Sequence, residues 1–248
     1  MRAKKIIYPL ILLVFILVVW EVGVQISHVP NYILPSPIKL MTYFTTYLIT
    51  GDLLMNTWVT LQEIFIGTFC GIIVGVILGY IVAKVHLVER LLMPLILVVQ
   101  IAPKISLAPL FILWFGLGIQ SKVALVILVV SFPIMVNQHT ALKQIDRRYV
   151  EFLSILKASK RQKFISLELP FTFSAIMSGV KVSVTQAMTG AVIGEMMGAK
   201  AGLGYLLTYG NEMYDINIIL SSVIALSLIG LILYYVAVLI EKKVLYWR

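Results

Sequence analysis

Charge is scarce in this sequence. Only 12 % of its 248 residues are Asp, Glu, Lys or Arg, about half the share of a soluble domain. Cysteine is nearly absent. Cys70 stands alone inside an apolar run, which excludes an intramolecular disulfide and a cysteine-based metal site. The three histidines, His28, His86 and His139, are far apart and lack metal-ligand spacing, so neither catalysis nor a metal is assigned to them. No G-x-x-x-x-G-K-[ST] loop occurs, so the chain does not bind ATP by that route. No Ser/His/Asp order with its supporting turns occurs either. The apolar stretch 6–20 follows a basic start but is long for a signal-peptide core, and no A-x-A site follows it. It is expected to persist as a first helix.

What is abundant is apolar surface. The chain is 60 % hydrophobic, with a mean hydropathy of +1.01. Several runs approach the ~20 residues that cross a ~30 Å hydrocarbon core. Such runs would aggregate in water, so the bilayer is the expected solvent. The expected fold is all-α and integral to the membrane, a single domain over 1–248. Six spans are expected at about 6–27, 57–83, 88–113, 121–140, 170–198 and 216–240, with 57–240 as the core region.

The net charge of +9 sets the topology. Fifteen Lys and Arg fall in the alternate segments that include the N-terminus, four fall in the opposite ones, and Lys181 lies within a span. The positive-inside rule then places both termini in the cytoplasm. Basic residues between apolar spans serve orientation, and no nucleic-acid partner is expected.

Local patterns refine this frame. Pro30, Pro35 and Pro37 break the first outer loop, and 38–49 suits a short interfacial helix. Gly67, Gly71, Gly75 and Gly79 lie four apart on one face. They permit close helix approach, inside the subunit or between subunits. Pro103 and Pro109 interrupt the third span near Gln100. A broken helix at membrane depth suits a cavity lining, or a simple kink near the surface.

The longest cytoplasmic loop is 143–170. Tyr149, Phe152, Leu153 and Leu156 recur at i, i+3, i+4 and i+7, an amphipathic stripe. Ser159 and Gln162 fit a capping box that starts a second short helix, joined to the first at about 157–159. Periodicity alone fits a helix in a partner's groove or one lying on the inner leaflet.

This loop resembles the EAA loop of ABC importer permeases. Glu151, Ala158, Phe164, Leu169, Pro170 and Gly179 match that pattern, whereas Phe152 and Leu153 replace alanines and Lys157 replaces the usual glycine. Further runs are similar to the nitrate/sulfonate/taurine-type permeases, a subfamily that also includes thiamin-pyrimidine-precursor and riboflavin permeases. They are Leu34-Pro35-Ser36-Pro37, Asn56-Thr57, Trp114-Phe115-Gly116-Leu117-Gly118 and Gly194-Glu195-Met196-Met197-Gly198. The resemblance implies a type I importer permease (MetI-like) fold in a bacterial inner membrane. It implies a coupling helix at 146–165, with Glu151, Phe152, Leu153, Leu156, Lys157, Ala158, Phe164 and Pro170 facing cytoplasmic ATPase subunits. ATP and Mg then belong to those partners, and this chain binds no cofactor. An extracytoplasmic solute-binding protein and a second permease copy, in a homodimer, complete the expected partners. The solute is expected to be small and polar or anionic, sulfonate- or nitrate-like or a vitamin or pyrimidine precursor.

Polar residues within spans are the candidates for the translocation path. They are Gln100, Thr185, Gln186, Thr189 and Glu195, joined by Pro103 through the helix break it makes; Glu195 also suits a carboxylate at the water interface. Lys181 suits either an acidic partner or a stem that snorkels inward. Glu63 and Glu21 carry less information. A secondary transporter without ATPase is the alternative function, although the inverted repeats frequent in that class are not evident.

Overall fold

The computed structural model describes residues 2–244. The side chains of residues 2–6, 9, 10, 97, 99–101, 104 and 105 lie outside the described set, and with them the expected role of Gln100. Its helices are α1 (Arg2–Ile26), α2 (Pro37–Thr50), α3 (Asp52–Lys84), α4 (His86–Ile101), α5 (Ala108–Phe115), α6 (Ile119–Lys143), α7 (Arg147–Ile155), α8 (Lys160–Lys163), α9 (Leu169–Met196), α10 (Leu203–Glu212) and α11 (Ile216–Val244). Among the described residues, four helical stretches are long and apolar enough to span: Asp52–Lys84, Ile119–Lys143, Lys160–Met196 and Ile216–Val244. The apolar part of α1 and the broken pair α4–α5 bring the total to about six.

Helix α6 is the axis of the molecule, packed against both α3 and α9, which also meet each other. The glycine row of α3 explains the first contact. A Cβ on Gly67 would lie 2.5 Å from Val126 Cβ, and one on Gly75 would lie 2.7 Å from the Ser131 carbonyl. Those distances leave no room for a side chain, so the two backbones meet directly. The row therefore serves packing inside this chain. A matching row on α9, with Gly179, Ser183, Ala187, Gly190 and Gly194 all buried, also packs closely against α6. A Cβ on Gly179 would sit 2.9 Å from Ile134 Cα. Small residues at both contacts suit a lipid solvent, where close dispersion contact replaces the hydrophobic effect between helices. Ile64, Val126, Val130, Ile134, Ile176, Ala187 and Ala191 form the resulting core.

The third span is broken as its prolines require. Helix α4 ends at Ile101, Ala102 is extended before Pro103, a 3-10 turn covers Lys104–Leu107, and α5 starts with Pro109 in its first turn. Two elements differ from expectation. The second short helix of the cytoplasmic loop does not stop: α8 passes through a π-helical turn (Phe164–Glu168) directly into α9. Pro170 falls in the first turn of α9, where its missing N–H costs little. Helix α10 was unexpected altogether. It packs on α9, α11 and α3, with Leu203, Leu206 and Gly210 buried.

Candidate functional site

The outer end of the core holds a cluster of buried polar groups. Asn56, Thr60 and Glu63 lie at i, i+4 and i+7 on α3, so they share one face. Glu195, near the end of α9, is 1 % exposed. The loop after it, 197–202, turns back, and α10 starts against these side chains. The first N–H groups of a helix have no partner inside it, and here neighbouring side chains satisfy them. Gly202 N donates to Asn56 Oδ1 at 2.7 Å, Leu203 N to Thr60 Oγ1 at 2.8 Å, and Gly204 N to Glu195 Oε2 at 2.6 Å. Thr60 in turn donates to Glu195 Oε1 at 2.6 Å. A carboxylate at a helix N-terminus also gains from the helix dipole. Gly202 has φ +117, and a Cβ there would lie 2.2 Å from Glu195 Oε1, so only glycine fits the turn.

Two more ionisable groups complete the cluster. Glu63, also 1 % exposed, lies beside Glu195, and its Oε2 lacks a hydrogen-bond partner among the described residues. Lys122, at the start of α6, is buried. Its Nζ donates to the carbonyls of Leu117 at 3.0 Å and Gly118 at 3.3 Å. The arrangement pins α3, α6, α9 and α10 together at one end. Sequence reading named Glu195, quoted Asn56 only within a run similar to the permease family, did not single out Thr60 or Lys122 for a site, and ranked Glu63 low. The available signal was the polar spacing 56, 60, 63 on an otherwise apolar helix.

The other path candidates lie elsewhere. Thr185 and Thr189 are exposed on one face of α9, Gln186 is half-buried beside them, and Pro103 is exposed at the break of the third span. Thr185 donates to the Val182 carbonyl at 2.8 Å. Lys181 meets Glu241 of α11 at 2.8 Å, so the acidic partner is present.

The opposite end carries the cytoplasmic loop. Asp146 caps α7, accepting from Arg148 N at 2.9 Å. Hydrogen bonds from the Arg148 side chain and backbone hold the Asp146 carboxyl below its ordinary range. Arg147 and Glu151 pair at 2.8 Å along the helix. No residue of α7 is buried. Phe152 is 60 % exposed, Ile155 79 %, and Tyr149 and Leu156 are similarly open.

Helix α7 ends as a glycine-terminated helix would. Ala158 N donates to Leu153 O at 2.9 Å and Lys157 N to Ser154 O at 3.0 Å, the paired bonds of a Schellman motif. Its left-handed position is Lys157, with φ +52. The turn geometry is thus kept without glycine, at a cost of roughly 1–2 kcal/mol. The Ser159–Gln162 capping box is formed in both directions. Phe164 packs edge-on against Tyr80 at 5.3 Å. Tyr80 donates to Glu168, which also pairs with Lys84. The loop is therefore anchored to the inner end of α3.

Comparison with known proteins agrees with this geometry. Residues 71–246 match the family of binding-protein-dependent transport system inner membrane components. A formylaminopyrimidine transport permease protein, ThiX of Halalkalibacterium halodurans, is 34 % identical over 100 % of this chain and 98 % of its own. A riboflavin transport system permease protein, RibX of Chloroflexus aurantiacus, is 36 % identical over 95 % of this chain and 88 % of its own. An aliphatic sulfonates transport permease protein of Escherichia coli, described as putative, is 33 % identical over 97 % and 91 %. The fold is similar to that in inward-facing structures of the MetNI methionine ABC transporter. One matches with a TM-score of 0.69 at 16 % identity, over 79 % of this chain and 97 % of that one. A multi-pass helical core, an apolar helix presented at the basic end and these relatives converge: the chain belongs to the binding-protein-dependent transport system inner membrane component family, as an ABC importer permease subunit of the bacterial inner membrane and not an enzyme.

Proposed function

We propose that two copies of this chain form the pathway of an importer powered by separate cytoplasmic ATPase subunits. The observation that carries this reading is α7: a helix with an open apolar face, capped at both ends and braced against α3. An exposed apolar patch of this kind marks a docking surface. Phe152, Leu153 and Leu156 supply its contact, Glu151 and Lys157 its polar rim, and Ala158 its turn. Phe164 and Pro170 join the patch to the membrane helices. ATP and Mg bind the partner, whose closure moves the loop and, through the π-helical turn, the continuous helix Lys160–Met196. A ligand drives such a change only through different affinities for the two states.

An extracytoplasmic binding protein delivers the solute to the outer end. There Glu195 fixes the loop 197–202 from behind, while Thr185, Gln186 and Thr189 offer polar groups to the path between the copies and Pro103 shapes its wall at the helix break. The names of the relatives favour a small heteroaromatic vitamin precursor, such as a pyrimidine, over a sulfonate. The test is reconstitution with the cognate ATPase and binding protein in liposomes. Uptake of a pyrimidine precursor should require ATP, and Leu156→Ala or Glu151→Ala should lower uptake while leaving membrane insertion intact. Uptake driven by an ion gradient without the ATPase would establish a secondary transporter instead.

A further inference from the structure

Two adjoining cavities on the outer side change from polar to apolar along the same helix. The first, about 420 Å³, lies between the end of α1 and the start of α2. Glu21, Gln25, His28, Asn31, Ser36 and Lys39 are among its lining residues. The second, about 440 Å³, includes Val14, Leu17, Val18, Trp20, Met41 and Ile224 of α11, and shares Glu21 with the first. Between positions 14 and 25 a helix rises about 16 Å, roughly the depth of one leaflet. Both termini are cytoplasmic, so the polar cavity is at the external headgroup level and the apolar one points to the bilayer midplane. Polarity in the protein therefore follows polarity in an outer-leaflet lipid.

The charges narrow the occupant. Lys39 and Glu21 both line the polar cavity, and among the described residues they form no salt bridge with each other. Each is held in place by neighbours. Lys39 Nζ donates to Asn31 Oδ1 at 3.1 Å. Glu21 accepts from Gln25 Nε2 at 2.7 Å and from Ile38 N at 3.2 Å. An ammonium with three donors and a carboxylate with several lone pairs retain capacity after these bonds. Beneath them the indole N–H of Trp20 is buried without an acceptor among the described residues, a costly state unless a ligand supplies one.

We propose that this two-part cavity binds one zwitterionic phospholipid of the outer leaflet. Its phosphate meets Lys39, its ammonium meets Glu21, and an ester carbonyl accepts from Trp20 Nε1. An acyl chain fills the groove between α1, α2 and Ile224 of α11. The lipid thereby ties α1, which packs chiefly on α2, to the body of the protein.

The test is native mass spectrometry of the full chain in mild detergent, with phosphatidylethanolamine or phosphatidylglycerol added. The wild type should retain one phosphatidylethanolamine per chain in preference to phosphatidylglycerol. The double variant Glu21→Gln with Lys39→Gln should retain at least about fivefold less, and Trp20→Phe should lose less than that. Val18→Trp, which fills the groove without touching a charge, should lower retention too, and it keeps the test decisive if the double variant misfolds. Equal or greater retention of phosphatidylglycerol by the wild type would overturn the proposal. So would undiminished phosphatidylethanolamine binding in both the double variant and Val18→Trp.

Discussion

The two ends of the helical core are built on opposite plans. At the outer end, buried and half-buried polar side chains satisfy backbone donors: Asn56, Thr60 and Glu195 each accept an N–H from the start of α10. At the inner end, apolar side chains of α7 point into the surroundings, and the helix is held only by its caps and by the braced segment that follows. Buried hydrogen bonds are lost at full desolvation cost when one partner is removed, so the outer cluster fixes geometry. Exposed apolar residues add little to the fold of the chain by itself, and under the proposed function this open face is where a partner docks. Substitutions at the outer end should therefore act on stability, and those at the inner end on coupling.

The largest effect should come from the contact that both ends share. Gly75→Leu forces a side chain against the Ser131 carbonyl, where even a Cβ has only 2.7 Å. Overpacking of this kind costs about 1–3 kcal/mol or more, and neither backbone can yield. Detergent-solubilised protein should lose its monodisperse elution peak. A normal peak would show that α3 and α6 separate more easily than their glycine contact implies.

Next is Glu195→Ala, which leaves Gly204 N without its acceptor and the Thr60 hydroxyl with only the Asn56 carbonyl at 3.2 Å. The expected loss is about 1–3 kcal/mol for the stranded N–H, read as a lowered Tm. An unchanged Tm would mean that the outer cluster does not fix the structure, and the contrast between the two ends would fail.

The joint variant Phe152→Ala with Ile155→Ala should do the reverse. Its Tm should stay within experimental scatter, because both side chains are mostly exposed, while ATP-dependent uptake falls at least about tenfold. Removing two apolar interface anchors of this kind costs more than about 1.4 kcal/mol of docking. A Tm drop without uncoupling would place these residues in the fold instead of the interface.

The smallest effects test how the loop is shaped. Lys157→Gly relieves the left-handed strain and should strengthen the end of α7 by up to about 1 kcal/mol, seen as slower amide exchange at 155–158. Asp146 adds a pH prediction. Its carboxyl titrates below the ordinary range, so its cap contributes above the unfolded pKa and is lost only as pH falls through the lower folded value. Coupling between pH 6 and 8 should show no transition from Asp146, and Asp146→Asn, which keeps the acceptor, should perturb α7 less than Asp146→Ala.

Sequence legibility followed the range of the interactions. The capping box at Ser159–Gln162, the short helix α2 and the proline break near Pro103 were readable because each depends on a few consecutive residues. The continuity of α8 into α9 was hidden because the capping box announces only where a short helix starts, and no local pattern at 164–168 signals the π-helical turn that carries it into α9. Helix α10 was hidden because its orphan N–H groups are satisfied by Asn56 and Thr60, more than 140 residues earlier. Glu195 was visible as an intramembrane carboxylate, but its partners were not.

The sequence by itself determined that lipid surrounds this protein, which side is cytoplasmic, and where a basic loop would present an apolar stripe. Those properties follow from hydropathy, charge bias and helical period, which are local sums along the chain. Only the tertiary structure decided that the glycine row of α3 closes on α6 within one subunit. It also decided that Glu195 is locked behind the outer loop. Both depend on which distant atoms come within a few ångströms, and no local pattern encodes that distance.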